Sequence, residues 1–121
     1  MTRLTDSEWQ VLQVLWDSGG AALGEVVQAL WPQTGWSRNT VLTYLTRMEK
    51  KGLVAIDKEG YPHRYRAALD QDACRAQERR SFLQRVYQGS AGDLVAAFLK
   101  EEPLPPEERE RLRKLLDEME V

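Results

Sequence analysis

Between Ser37 and Arg47 the sequence gathers side chains able to meet the edges of base pairs: Ser37, Arg38, Asn39, Thr40, Thr43, Tyr44 and Arg47. Arginine can fork onto guanine and asparagine onto adenine, while threonine offers a hydroxyl and a methyl. An ordinary solvated helix face carries Glu and Lys at i, i+4 spacing. The face made by Asn39, Thr40, Thr43, Tyr44, Thr46 and Arg47 instead holds uncharged hydrogen-bonding groups and one arginine. Lys50, Lys51, Lys58, His63 and Arg64 could grip phosphates nearby, setting register without reading sequence. Residues 36–66 hold seven Lys/Arg against three Asp/Glu, a local +4 that the chain-wide net charge of −2 conceals. The competing reading is the plain polar face of a small helical domain.

Other chemistries fare poorly. The single His63 builds neither a histidine-rich metal centre nor a pair of catalytic imidazoles. Cys74 is the one cysteine, which removes disulfide frameworks and suits a reducing cytoplasm. No phosphate-cradling loop of the Walker or Rossmann type occurs: Gly19-Gly20 precedes a helix but lacks the lysine and the strand. The carboxylates of 101–120 alternate with arginines, as on a solvated helix face. The expectation is therefore no enzyme, no metal and no cofactor. No apolar run approaches the ~20 residues of a bilayer span. The segment Met1-Thr2-Arg3-Leu4-Thr5-Asp6 has no apolar signal core, so the expected location is cytoplasmic.

A set of short elements must position these groups. Thr5 and Glu8 stand as a capping box, stapled by Leu4 and Trp9, and open a helix carrying Trp9, Leu12, Leu15 and Trp16 inward until Gly19-Gly20. Leu23, Val26, Val27, Leu30 and Trp31 form the stripe of a second helix, weakly capped by Ala22 and ended by Pro32 and Gly35. Ser37 caps a third, with Trp36 and Val41 as its staple, an inward stripe of Val41, Leu42, Leu45 and Met48, and Gly52 at the positive-φ C′ position. The four tryptophans are expected in the core. Two β-prone runs follow, 53–56 and 61–66, joined by Asp57-Lys58-Glu59-Gly60 as a hairpin turn with glycine at positive φ. Pro62 lacks a ladder donor, which predicts an edge strand. Three helices and a two-stranded hairpin make a winged-helix domain over 1–69, in an α+β, mostly α chain.

Beyond Leu69 the pattern is helical only. Asp70 or Asp72 caps a helix to about Tyr87, Ser90 and Asp93 start another, and Pro105-Pro106 open the last. Their apolar positions are Phe82, Leu83, Val86, Leu94, Val95, Phe98, Leu99, Leu112, Leu115, Leu116 and Met119. Short helices of ~10–17 residues are marginal in water unless those faces are covered. Folding back on the first domain is one cover and a second copy the other, favoured because symmetric pairs are the commonest soluble oligomers, and 70–121 is accordingly read as a helical dimerisation region.

Several stretches together resemble the penicillinase-repressor family, the BlaI/MecI/CopY-like winged-helix regulators. They are Leu4-Thr5-Asp6-Ser7-Glu8-Trp9, Val14-Leu15-Trp16, Trp36-Ser37-Arg38-Asn39-Thr40-Val41, the run from Leu45 to Leu53, Ser81-Phe82-Leu83 and Tyr87-Gln88-Gly89-Ser90. The resemblance implies a homodimeric transcriptional repressor on a dyad-symmetric, palindromic operator of double-stranded DNA, silencing antibiotic-resistance or stress genes. In the family's resistance branch it implies an inducing protease that cuts an Asn-Phe bond in the dimerisation region; the aligned bond here is Ala97-Phe98. The copper branch takes metal on a C-terminal cysteine cluster, which a chain with Cys74 alone does not possess. The rival functions are a winged-helix protein-docking module and a DNA-binding sensor of small molecules.

Overall fold

The computed structural model describes residues 3–101 and 103–119 and comprises two compact units, 1–76 and 77–121. The first unit starts with α1 (Asp6–Ser18), whose cap closes as the sequence requires: the Thr5 N–H donates to Glu8 Oε1 at 2.9 Å and the Glu8 N–H to Thr5 Oγ1 at 3.1 Å. Gly19 then takes the left-handed conformation and ends the helix. A two-residue strand, β1 (Ala21–Ala22), leads into α2 (Leu23–Thr34). Glu25 reaches back from α2 to accept the Ala22 N–H at 2.9 Å, so the alanine cap keeps half of a capping box.

Pro32 lies inside α2 instead of ending it, and Gly35 is the true stop. So close to the C-terminus a proline removes a single ladder bond, which the helix tolerates. Next comes α3 (Arg38–Lys50), closed by a Schellman motif in which the Leu53 N–H donates to the Met48 carbonyl and the Gly52 N–H to the Glu49 carbonyl. Gly52 holds φ +79°, as expected at C′.

The hairpin consists of β2 (Val54–Asp57) and β3 (Arg64–Ala67), antiparallel with Val54 opposite Ala67 and Asp57 opposite Arg64. Three expectations fail here. The sheet has three strands in the order β1-β3-β2, so β3 is central and not an edge. Pro62 lies before β3, in a connection longer than the predicted four-residue turn, where its missing donor costs the ladder nothing. Nor is Gly60 at positive φ; the turn starts with Asp57 Oδ1 accepting the Glu59 N–H at 3.0 Å.

The core collects Val11, Leu12 and Leu15 of α1, Val26 and Leu30 of α2, Val41, Leu45 and Met48 of α3, and Val54 and Tyr65 of the sheet. Trp9, Trp16 and Trp36 are half-buried at its margin, but Trp31 is 59% exposed and Leu42 also faces solvent. A core this small is filled by one stripe per helix, and those two side chains fall just outside it.

Glu8 ties this unit together. It is buried, and its Oε2 accepts from Lys51 Nζ at 2.9 Å, which fastens the start of α1 to the end of α3. Burial would raise the carboxyl's pKa, yet the Thr5 N–H and the Lys51 ammonium outweigh it and hold Glu8 below the usual carboxylate range. The far end of α1 is fixed by Trp16 Nε1 donating to the Leu69 carbonyl at 2.9 Å.

Asp70 caps α4 (Gln71–Tyr87) by accepting the Ala73 N–H at 3.0 Å, and Cys74 on its first turn is buried. Burial and the Asp70 charge push the Cys74 thiol up, as for an inert structural cysteine. The second unit takes in the rest of α4 with α5 (Ala91–Glu101) and α6 (Pro106–Glu118). Ser90 Oγ accepts the Asp93 N–H at 3.1 Å at the start of α5, and Pro106 sits in the first turn of α6.

The depressed Glu8 carboxyl sets a pH test. A folded pKa below the unfolded one, about 4.3 for Glu, gives stability that is present above the unfolded value and lost as pH falls through the folded one. Glu8→Gln should cost roughly 1 kcal/mol at pH 7 and flatten the acid limb of the urea midpoint against pH. An acid limb as steep as that of the unmodified chain would refute this role.

Candidate nucleic-acid interface

The chemistry-bearing face of α3 rests on its opposite side. Val41, Leu45 and Met48 are fully buried, so the helix cannot roll without exposing them, and Asn39, Thr43, Thr46, Arg47 and Lys50 are held outward. Ser37 Oγ accepts the Thr40 N–H at 3.2 Å and donates to Thr40 Oγ1 at 3.1 Å. One turn on, Thr43 Oγ1 donates to the Asn39 carbonyl at 2.9 Å. These bonds fix side chains that would otherwise rotate freely on an exposed surface.

Tyr44 departs from the expected outward face. Its ring stacks on Trp36 with centroids 4.7 Å apart and planes at 23°, packed against the core, where the pair braces the approach to α3. Ser37, Arg38, Asn39, Thr40, Thr43 and Arg47 remain together on or beside the exposed surface, with Thr40 half-buried.

The basic residues separate into two groups. Among the described residues, Arg38, Arg47, Lys50 and Lys58 take part in no ion pair, so their charges are directed at solvent. Lys51 is engaged by Glu8, and Arg64 donates to the Gly20 carbonyl at 3.0 Å while its other terminal nitrogen lies 3.7 Å from Glu25. Both of these cations stitch the fold: Lys51 holds α1 to α3, and Arg64 holds β3 to the turn before β1. Sequence position alone groups Lys51 and Arg64 with Lys50 and Lys58 as phosphate contacts.

The hairpin tip approaches the same face. A cleft of about 530 Å³ is bounded by Gly24 and Gln28 of α2, by Arg38 of α3, and by Tyr61, His63 and Tyr65. A Cβ built at Gly24 would lie 3.8 Å from a guanidinium nitrogen of Arg38, in ordinary contact. His63 is half-buried with Tyr61 edge-on at 5.8 Å, and Tyr61 itself is 94% exposed. Tyr61 was missed because it was taken as a strand residue; its position directly before Pro62 was the available signal for a turn.

In the second unit the apolar positions stay uncovered. Phe82, Val86, Val95, Phe98, Leu99, Leu115, Leu116 and Met119 are exposed, Leu83, Leu94 and Leu112 half-buried, and neither α5 nor α6 contains a buried residue. Phe82 and Tyr87 meet at 6.0 Å. Among the described residues, no group of three or more His, Cys, Asp or Glu side chains is placed to hold a metal ion, and no helix is long and apolar enough to cross a membrane.

A helix-turn-helix followed by a hairpin, with the second helix outward, is the arrangement found in known repressors. The family model described as penicillinase repressor matches residues 4–118. The chain is 32% identical over 116 residues to the penicillinase repressor of Bacillus licheniformis, covering 96% of this chain and 91% of that one. It is 27% identical over 114 residues to the methicillin resistance regulatory protein MecI of Staphylococcus aureus, covering 94% and 93%. Its fold matches the solution structure of B. licheniformis BlaI, in monomeric form with the blaP half-operator, at a TM-score of 0.53 and 31% identity over 59% of this chain and 87% of that one. The chain belongs to the penicillinase repressor family.

Proposed function

We propose that this protein represses transcription by binding a palindromic operator as a homodimer, with residues 1–69 on DNA and 70–121 joining the two copies. The observation that carries the reading is the exposed α3 face, where Asn39, Thr43 and Arg47 stand together and the Arg47 guanidinium has no ion-pair partner among the described residues. The BlaI structure with its half-operator supports it, as a DNA complex of the same fold at 31% identity. Antibiotic-resistance or stress genes are the proposed targets and the cytoplasm the proposed location, a reading supported by the names of the relatives.

In this reading α3 enters the major groove and Arg38, Asn39, Thr40, Thr43 and Arg47 meet base edges. Lys50, Lys58 and the hairpin tip with Tyr61 and His63 hold the sugar-phosphate backbone. Lys51 and Arg64 contribute by fixing the frame. The uncovered apolar faces of α4, α5 and α6 supply the dimer contact, since helices this short need a partner surface. Two such units place their recognition helices about one helical turn apart, ~34 Å, or more. An inducing protease would meet Ala97-Phe98 inside α5, so it must unwind that helix before cutting.

Three measurements test this. Arg47→Ala should weaken binding to the selected operator by ~1–3 kcal/mol and relax preference at one position, whereas Lys58→Ala should weaken all duplexes alike and flatten the salt slope by ~1. Equal losses on operator and random DNA for Arg47→Ala would contradict its base contact. Sedimentation at micromolar concentration should give a dimer that Leu115→Glu splits; a monomer unaffected by that change would overturn the assignment of 70–121. Arg64→Ala should lower the melting temperature as well as DNA affinity, because its bonds to Gly20 and Glu25 are internal. An unchanged melting temperature with weakened binding would return Arg64 to the phosphate contacts.

A further inference from the structure

Two threonines on the recognition face differ in what they can offer a base. Thr43 Oγ1 lies 2.9 Å from the Asn39 carbonyl oxygen. A carbonyl has no hydrogen to give, so the shared proton is the hydroxyl's own, and Thr43 has only one. The same bond holds the side chain in one rotamer, which also fixes the methyl. What Thr43 turns outward is therefore a methyl and oxygen lone pairs, with no donor. Thr40 faces another hydroxyl instead of a carbonyl. Its oxygen lies 3.1 Å from Ser37 Oγ, a group that can give or accept the shared proton, so its hydroxyl is not bound to donate inward.

In the major groove guanine shows two acceptors, N7 and O6, while thymine shows O4 and the C5 methyl. Lone pairs set against guanine N7 or O6, or against thymine O4, repel, and donation to any of them requires breaking the bond to Asn39, so the methyl and not the oxygen sets the preference. A methyl set against the thymine methyl excludes water from both. Taking α3 as the base-reading helix, we propose that Thr43 is a specificity-determining residue that favours thymine over guanine at the base it meets, because thymine offers its methyl a partner and guanine offers only acceptors. The guanine contacts of the operator then fall to Arg38 and Arg47, whose donors are uncommitted.

The test uses the full chain and an operator obtained by selecting bound fragments, with each thymine replaced in turn by deoxyuridine, which lacks only the methyl. One thymine per half-site should show binding about four-fold weaker, the worth of one buried methyl-sized group. Thr43→Val keeps the methyl and should retain that sensitivity. Thr43→Ser keeps the hydroxyl and loses the methyl, and should abolish it at that thymine while leaving the others unchanged. Sensitivity that survives in Thr43→Ser, or that is absent at every thymine in the unmodified chain, overturns the role given to Thr43 while base reading by α3 stands. A chain that binds operator and scrambled duplex alike overturns base reading by α3, and the Thr43 proposal with it.

Discussion

The working surface of this protein depends on the burial of one helix face. Val41, Leu45 and Met48 lock α3 against α1, α2 and the sheet, and each is fully enclosed. Burying side chains of this size is worth about 1.5–3 kcal/mol apiece, which is large against the few kcal/mol of net stability available to a small domain. Rolling α3 by even one position would forfeit that. The outward direction of Asn39, Thr43 and Arg47 is thus enforced from behind, and the Thr43–Asn39 bond then fixes the threonine's rotamer.

Longer-range bonds then hold the ends of the frame. Glu8 satisfies the first turn of α1 and simultaneously receives Lys51 from the end of α3. Arg64 joins β3 to the carbonyl of Gly20, just before β1, and Trp16 joins α1 to Leu69. The division of labour among cations follows from this: those with carboxylate partners shape the domain, and those without them leave a positive field over the face where α3 and the hairpin tip converge.

Features with a local cause were legible in the sequence. The Thr5–Glu8 box, the Ser37 cap, the positive φ of Gly52 and the Asp70 cap each depend on residues within a few positions, and each formed. Most of the features misjudged depend on distant partners, the Gly60 turn and the place of Pro32 inside α2 being local exceptions. β1 is two alanines, too short for any period to reveal, and it exists because β3 offers it a ladder. That pairing is also what made β3 central. Lys51 meets a residue 43 positions away and Arg64 one 44 away, so charge alone gave no sign of their engagement. Tyr44 had the spacing of an outward residue, but Trp36 offered a ring to stack on. Helical spacing placed Trp31 and Leu42 on the apolar stripe, whereas the volume available in a three-helix core left both outside.

The most direct test of the account is a backbone-amide NMR titration of the full chain with its selected operator and with a scrambled duplex of equal length and composition. The account predicts large shift changes across residues 37–47 with the operator, smaller ones across 58–63 with both duplexes, and little at 37–47 with the scrambled one. Identical changes at 37–47 for the two duplexes, or changes centred on α1, would contradict it.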